Sequence, residues 1–129
     1  MIPTVMLLSL LVSFLPSSTL GSLTNEHIDL LSYAYVRAVD NGISPTNFIK
    51  LLECESGFNK NAWNKNDPYG GARGIAQFLE PTFNAYKKIY GLVGEYNSAY
   101  AQINLAASII GDGGIKNWHW CGKKSGLLK

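Results

Sequence analysis

Between Ser44 and Gly57 the chain carries the start and stop signals of one helix, and that helix leaves a carboxylate on its apolar side. Ser44 is a residue type that caps a helix, and Pro45 follows at the first helical position, where its missing N–H costs nothing. Phe48, Leu51 and Leu52 lie seven, four and three residues before Glu55. Glu55 therefore projects from the face that must be buried, while Lys50 and Glu53 turn toward water. Gly57 is suited to end the helix. A carboxyl at the mouth of an apolar groove has its charged form disfavoured, so its pKa rises. A general acid working near neutral pH needs that shift. The spacing alone also allows a helix-end glutamate that snorkels to solvent, because a perturbed carboxylate is only a probabilistic mark of a site.

The rest of the chain reads as mainly α. Asn25 to Asp40 forms a first helix, capped by Thr24 and stopped at Asn41-Gly42, with Ile28, Leu31, Tyr35 and Ala38 as its apolar stripe. Asn59 to Gly74 is rich in Asn, Asp, Pro and Gly and reads as an irregular loop. Pro81 to Tyr90 is a short helix ended by Gly91, with Lys87 and Lys88 placed near its negative end. Ser98 to Ile110 is a further long helix, with Ala99, Ile103, Ala106 and Ile110 on one face and Gly111 as its stop. No stretch alternates convincingly as a strand, and no internal repeat is visible.

A chain of 129 residues suits one domain of usual size. A net charge of +2 with no stripe of Lys or Arg argues against a nucleic-acid partner. Residues 1–21 form a separate object: an apolar run from Val5 to Leu15, then Pro16-Ser17-Ser18 and Thr19-Leu20-Gly21. That is the length of a signal-peptide core and short for a membrane span. No Lys or Arg precedes the run, so an uncleaved anchor is the alternative, and membrane contact is expected through this segment alone. Residues 22–129 would then be the exported domain, secreted, periplasmic or bound to the cell wall. In such a domain the pair Cys54 and Cys121 favours a disulfide, with two buried thiols as the alternative. The two Cys and two His lack metal-ligand spacing, so no metal is expected.

Three motifs stand in register: Glu55-Ser56-Gly57-Phe58-Asn59, then Gly71-Ala72-Arg73-Gly74-Ile75-Ala76-Gln77-Phe78, then Pro81-Thr82-Phe83. Together they resemble the lytic transglycosylase family with the lysozyme-like fold, over about Ser44 to Ile110. The resemblance implies a small helical domain with a substrate cleft, in which Glu55 is the catalytic acid. It implies that Ser56, Gly74, Ile75, Gln77 and Phe78 line the cleft, and that Gly70, Gly71 and Gly74 let backbone approach a ligand. Near the C-terminus the chain lacks the Ala-x-x-Tyr-Asn-x-Gly motif that many relatives carry. Trp118 and Trp120 stand there instead, either as sugar-stacking platforms or as core residues, and His119 reads as structural or exposed.

What the family implies chemically is cleavage of the β-1,4 bond between N-acetylmuramic acid and N-acetylglucosamine in peptidoglycan. Glu55 protonates the glycosidic oxygen, the substrate's own N-acetyl group stabilises the cation, and Glu55 then takes the C6 hydroxyl proton to give a 1,6-anhydro product. No cofactor enters, the partner is the glycan strand, and a monomer suffices. The nearest rival is a goose-type lysozyme reaction, with Asp67 positioning a water. An inactive wall-binding module is a rival from another class; a small secreted toxin or inhibitor would normally carry more cysteines.

Overall fold

A computed structural model of the chain describes residues 23–129. The segment expected to be a signal peptide, residues 1–21, lies outside them. Helix α1 spans Asn25–Asp40 and α2 spans Pro45–Ser56, followed by the two-residue strands β1 (Trp63–Asn64) and β2 (Ala72–Arg73). Helix α3 is Glu80–Tyr90, α4 is Ala99–Gly111, and a 3-10 turn over Ile115–Trp118 leads into α5, His119–Ser125. Among the described residues no helix is long and apolar enough to cross a membrane.

The helix ends follow local chemistry. Thr24, Ser44 and Ser98 each accept the backbone N–H three residues on, from His27, Asn47 and Ala101, which satisfies a donor the first turn leaves unpaired. Gly57 and Gly91 close α2 and α3 in the left-handed conformation, at φ 64° and 63°. Helix α4 runs through Gly111, one residue past the expected end, to a cap at Asp112.

The mainly α class expected from the sequence is what the chain adopts. Two features differ. The loop after α2 contains a short antiparallel hairpin, with Trp63 opposite Arg73 and Asn64 opposite Ala72; paired segments of two residues are too short to show alternation. The stripe of α1 also sits slightly rotated: Leu30, Leu31, Ala34 and Ala38 are buried, while Ile28 and Tyr35 are half-buried.

Helix α4 is the centre of the packing. Its Ile103, Leu105, Ala106, Ala107 and Ile109 are almost wholly buried, as expected for a helix apolar on most sides. It packs against α1 and α3, while α2 packs against α1 and α5. Its one buried polar side chain, Gln102, is 1 % exposed and fully used. Oε1 accepts Ala76 N–H at 3.1 Å, and Nε2 donates to Arg73 O at 3.1 Å and Tyr96 O at 2.8 Å. This amide fixes the segment after the hairpin to the core, because each buried group it satisfies would be costly to leave unpaired. Cys54 and Cys121 form the disulfide, joining the end of α2 to α5.

Candidate active site

Glu55 sits in the last turn of α2, after three core side chains, Phe48, Leu51 and Leu52, that are fully buried. Its neighbours on both sides anchor that turn. Cys54 is bonded to Cys121 with the Cα atoms 5.7 Å apart. The Ser56 hydroxyl donates to Ile75 O at 2.7 Å and accepts the Asn59 N–H at 3.2 Å. Glu55 is therefore held between one covalent and one hydrogen-bonded tether. Its own carboxyl is half-buried and makes no hydrogen bond or ion pair among the described residues. Burial with nothing to favour the charged form pushes its pKa up to about 7.

The segment facing that turn, Gly74–Phe78, is wired at almost every residue. Gly74 N–H donates to Ala62 O at 2.8 Å, and the Gln77 amide donates to Gly74 O at 2.9 Å and Ala62 O at 3.3 Å. Ala76 O accepts the Trp118 indole N–H at 2.8 Å, and Phe78 O accepts the Tyr96 hydroxyl at 2.5 Å. Among the described residues, two other than glycine adopt positive φ, Phe58 at 59° just after α2 and Gln77 at 56°. Each such conformation costs on the order of 1–3 kcal/mol and persists where surroundings over-determine it, often at sites.

A groove of about 210 Å³ opens beside this segment, lined among others by Gln77, Phe78, Thr82, Tyr86, Asn117 and Trp118. It brings together three of the expected substrate-binding residues. Glu55 is not in its wall; the link to it runs through the Ser56–Ile75 bond, two residues from Gln77.

Other expected site residues take different roles. The Ile75 side chain is fully buried, so it belongs to the core and only its carbonyl serves the site. Ser56 directs its hydroxyl to backbone groups and so positions the turn. Trp118 is 6 % exposed, packs edge-on to Phe78 with centroids 5.4 Å apart, and has its indole N–H occupied. Its ring is thus packed into the core, and it also lines the groove. Trp120 is 69 % exposed with the Lys124 ammonium over its ring, away from the groove. Of the three glycines expected to admit a ligand, Gly71 and Gly74 make room for the protein's own side chains, whereas a Cβ at Gly70 would meet nothing within 4 Å. A Cβ at Gly74 would lie 2.3 Å from the Gln102 amide, and one at Gly71 would lie 2.4 Å from the Trp63 indole nitrogen. Gln102 and Tyr96, which shape the segment, were missed. Their one sequence signal is a polar residue, Gln102, beside Ala99, Ile103 and Ala106 on the apolar face of α4.

The raised Glu55 pKa makes a stability prediction. The folded state holds this proton up to about pH 7, whereas the unfolded chain releases it near 4.5. The unfolded state thus binds fewer protons between those values, and stability falls as pH rises through that window. Glu55→Gln removes the penalty and stabilises the protein at pH 8 by about 1–2 kcal/mol, discounted for solvent access at a half-buried group. At pH 4 the difference vanishes. Thermal unfolding of both proteins at the two pH values measures it, and equal melting temperatures at pH 8 would refute it.

Among the described residues no group of three or more His, Cys, Asp or Glu has the arrangement of a metal site. The chain matches the family described as Transglycosylase SLT domain over residues 32–111. No curated protein and no solved structure matches it. The matched range holds α2, the hairpin, the Gly74–Phe78 segment, α3 and α4.

Proposed function

The chain belongs to the transglycosylase SLT domain family, and from that premise we propose that it is a peptidoglycan lytic transglycosylase with Glu55 as its single acid and base. The observation that carries the reading is the state of Glu55: half-buried, without an ionic partner among the described residues, and titrating at about 7. Near neutral pH such a group is present in both forms, so it can give a proton in one step and take one in the next. Glu55 protonates the glycosidic oxygen between N-acetylmuramic acid and N-acetylglucosamine. The substrate N-acetyl group supports the cation at C1, one of the known exceptions to the two-carboxylate pattern. The carboxylate then accepts the proton of the C6 hydroxyl, whose oxygen closes on C1 to give the 1,6-anhydro ring.

For this chemistry the glycan must pass Glu55 at the end of α2, and the groove beside Gln77 and Phe78 is where it is expected to continue. The Gln77 donors are engaged internally, so its free Oε1 is the atom offered to a sugar N–H or O–H. Peptidoglycan lies outside the cytoplasmic membrane, and a disulfide suits an oxidising compartment of that kind. Mass spectrometry of the muropeptides released from purified walls tests the proposal in one measurement. Anhydro ends support it, reducing ends indicate hydrolysis, and no release refutes an active enzyme.

Asp67 offers the contrasting route, as the carboxylate of a hydrolase. It accepts the Tyr69 N–H at 2.8 Å, a local turn bond of the kind aspartate makes when it shapes a loop. Asparagine keeps that acceptor oxygen. Asp67→Asn is therefore expected to retain most activity and the anhydro product. A water-activating aspartate would instead lose about 10²–10⁴-fold on this change, with reducing ends from the wild type.

A further inference from the structure

A second and larger groove, of about 480 Å³, is lined by a different set of residues and takes no part in the chemistry above. Gly74 lines it, whereas Gln77 and Phe78 line the first groove. Its volume falls in the range of small-ligand sites. The wall carries Lys60, Trp63, Tyr69, Arg73, Glu80 and Asn97.

Two of these side chains carry charge without a charged partner. Lys60 is paired with Glu26. Arg73 and Glu80 make no ion pair among the described residues. Arg73 is also built into place. Its N–H donates to Phe78 O at 3.0 Å, its carbonyl accepts the Gln102 amide at 3.1 Å, and its guanidinium lies over the Trp63 ring, 4.1 Å from the centroid. Gly71 gives the indole the room it needs. An arginine whose face is covered by an aromatic ring still presents its N–H edge, which matches a carboxylate in bidentate fashion. Glu80, at the start of α3, supplies the opposite charge in the same groove.

We propose that this groove binds the short zwitterionic peptides that branch from peptidoglycan glycan strands, with Arg73 taking a peptide carboxylate and Glu80 a peptide amine. The ligand class rests on the peptidoglycan reading above. The presence of an acid beside the arginine favours a ligand with both charges over a plain polyanion. Reach permits it: Gly74 and Gln77 are three residues apart, at most about 11 Å of chain, and a four-residue branch extends about 13 Å. The two grooves are thus lined by neighbouring residues of one segment, as a strand in the first with its branch in the second requires.

The test uses the oxidised chain and an isolated tetrapeptide, alanyl-γ-glutamyl-lysyl-alanine, which has no glycosidic bond. The readout is the NMR shift of the Trp63 indole N–H, identified as the signal lost in Trp63→Phe. The peptide is expected to shift it saturably. Amidation of the peptide carboxylates, or Arg73→Gln, should weaken binding about tenfold or more, the usual weight of a hydrogen bond to a charged group. Glu80→Gln should abolish the preference for the free lysyl amine over its acetylated form. Absence of a saturable shift, equal affinity for the amidated peptide, or tighter binding of a glycerol-phosphate oligomer would each overturn the proposal. Because the probe cannot be cleaved, a protein that binds it yet leaves walls intact would retire the transglycosylase reading and keep this one.

Discussion

On the proposed function, replacing Glu55 by glutamine is expected to leave a folded protein that no longer releases fragments from peptidoglycan. Glutamine keeps the shape of the side chain in its half-buried place at the end of α2, but it neither donates the acid proton nor accepts one afterwards. A single general acid–base role is worth about 10²–10⁴-fold, and Glu55 is assigned two in succession. Release of soluble muropeptides, followed by mass spectrometry with circular dichroism as the check on folding, measures the effect. A rate within about tenfold of wild type is smaller than the least such contribution, and it would remove Glu55 from the mechanism.

Loss of the disulfide is the second large effect. The bond spans 67 residues, and closing a loop of that length contributes about 4 kcal/mol on the chain-entropy account. The double variant Cys54→Ser, Cys121→Ser should therefore melt roughly 15–30 °C lower than wild type, at about 4–8 °C per kcal/mol for a domain of this size. Scanning calorimetry of the two proteins provides the comparison. A shift below about 3 °C, under 1 kcal/mol on the same scale, would show that helix packing alone holds α5 against α2. The bond joins an exposed residue of α2, Cys54, to one of α5, Cys121, that is 4 % exposed.

The parts of this fold that were legible in the sequence are those decided within a few residues. The caps at Thr24, Ser44 and Ser98 and the glycine stops at Gly57 and Gly91 depend on one side chain and the backbone beside it. Glu55 was legible because Phe48, Leu51 and Leu52 lie on its own helix. What resisted reading depends on partners far along the chain. Trp118 is a core residue because its indole meets Ala76, 42 positions away, and Ser56 is a positioning residue because its oxygen meets Ile75, 19 positions away. Neither distance leaves a periodic trace. The glycines illustrate the same limit. Their need for space was readable, but whether a ligand or an indole fills that space is decided by the hairpin register.

The buried amide of Gln102 makes the wall of the site depend on α4. It bonds to Ala76 and Arg73 across 26 and 29 positions, contacts whose closure entropy must be met before they form. Until α4 docks, the backbone of the hairpin and the segment after it have no partner for those groups. The caps of α2 are local to it, whereas the wall beside it depends on α4. The carboxylate proposed as the acid thus belongs to one helix, while the wall beside it is complete only with α4 in place.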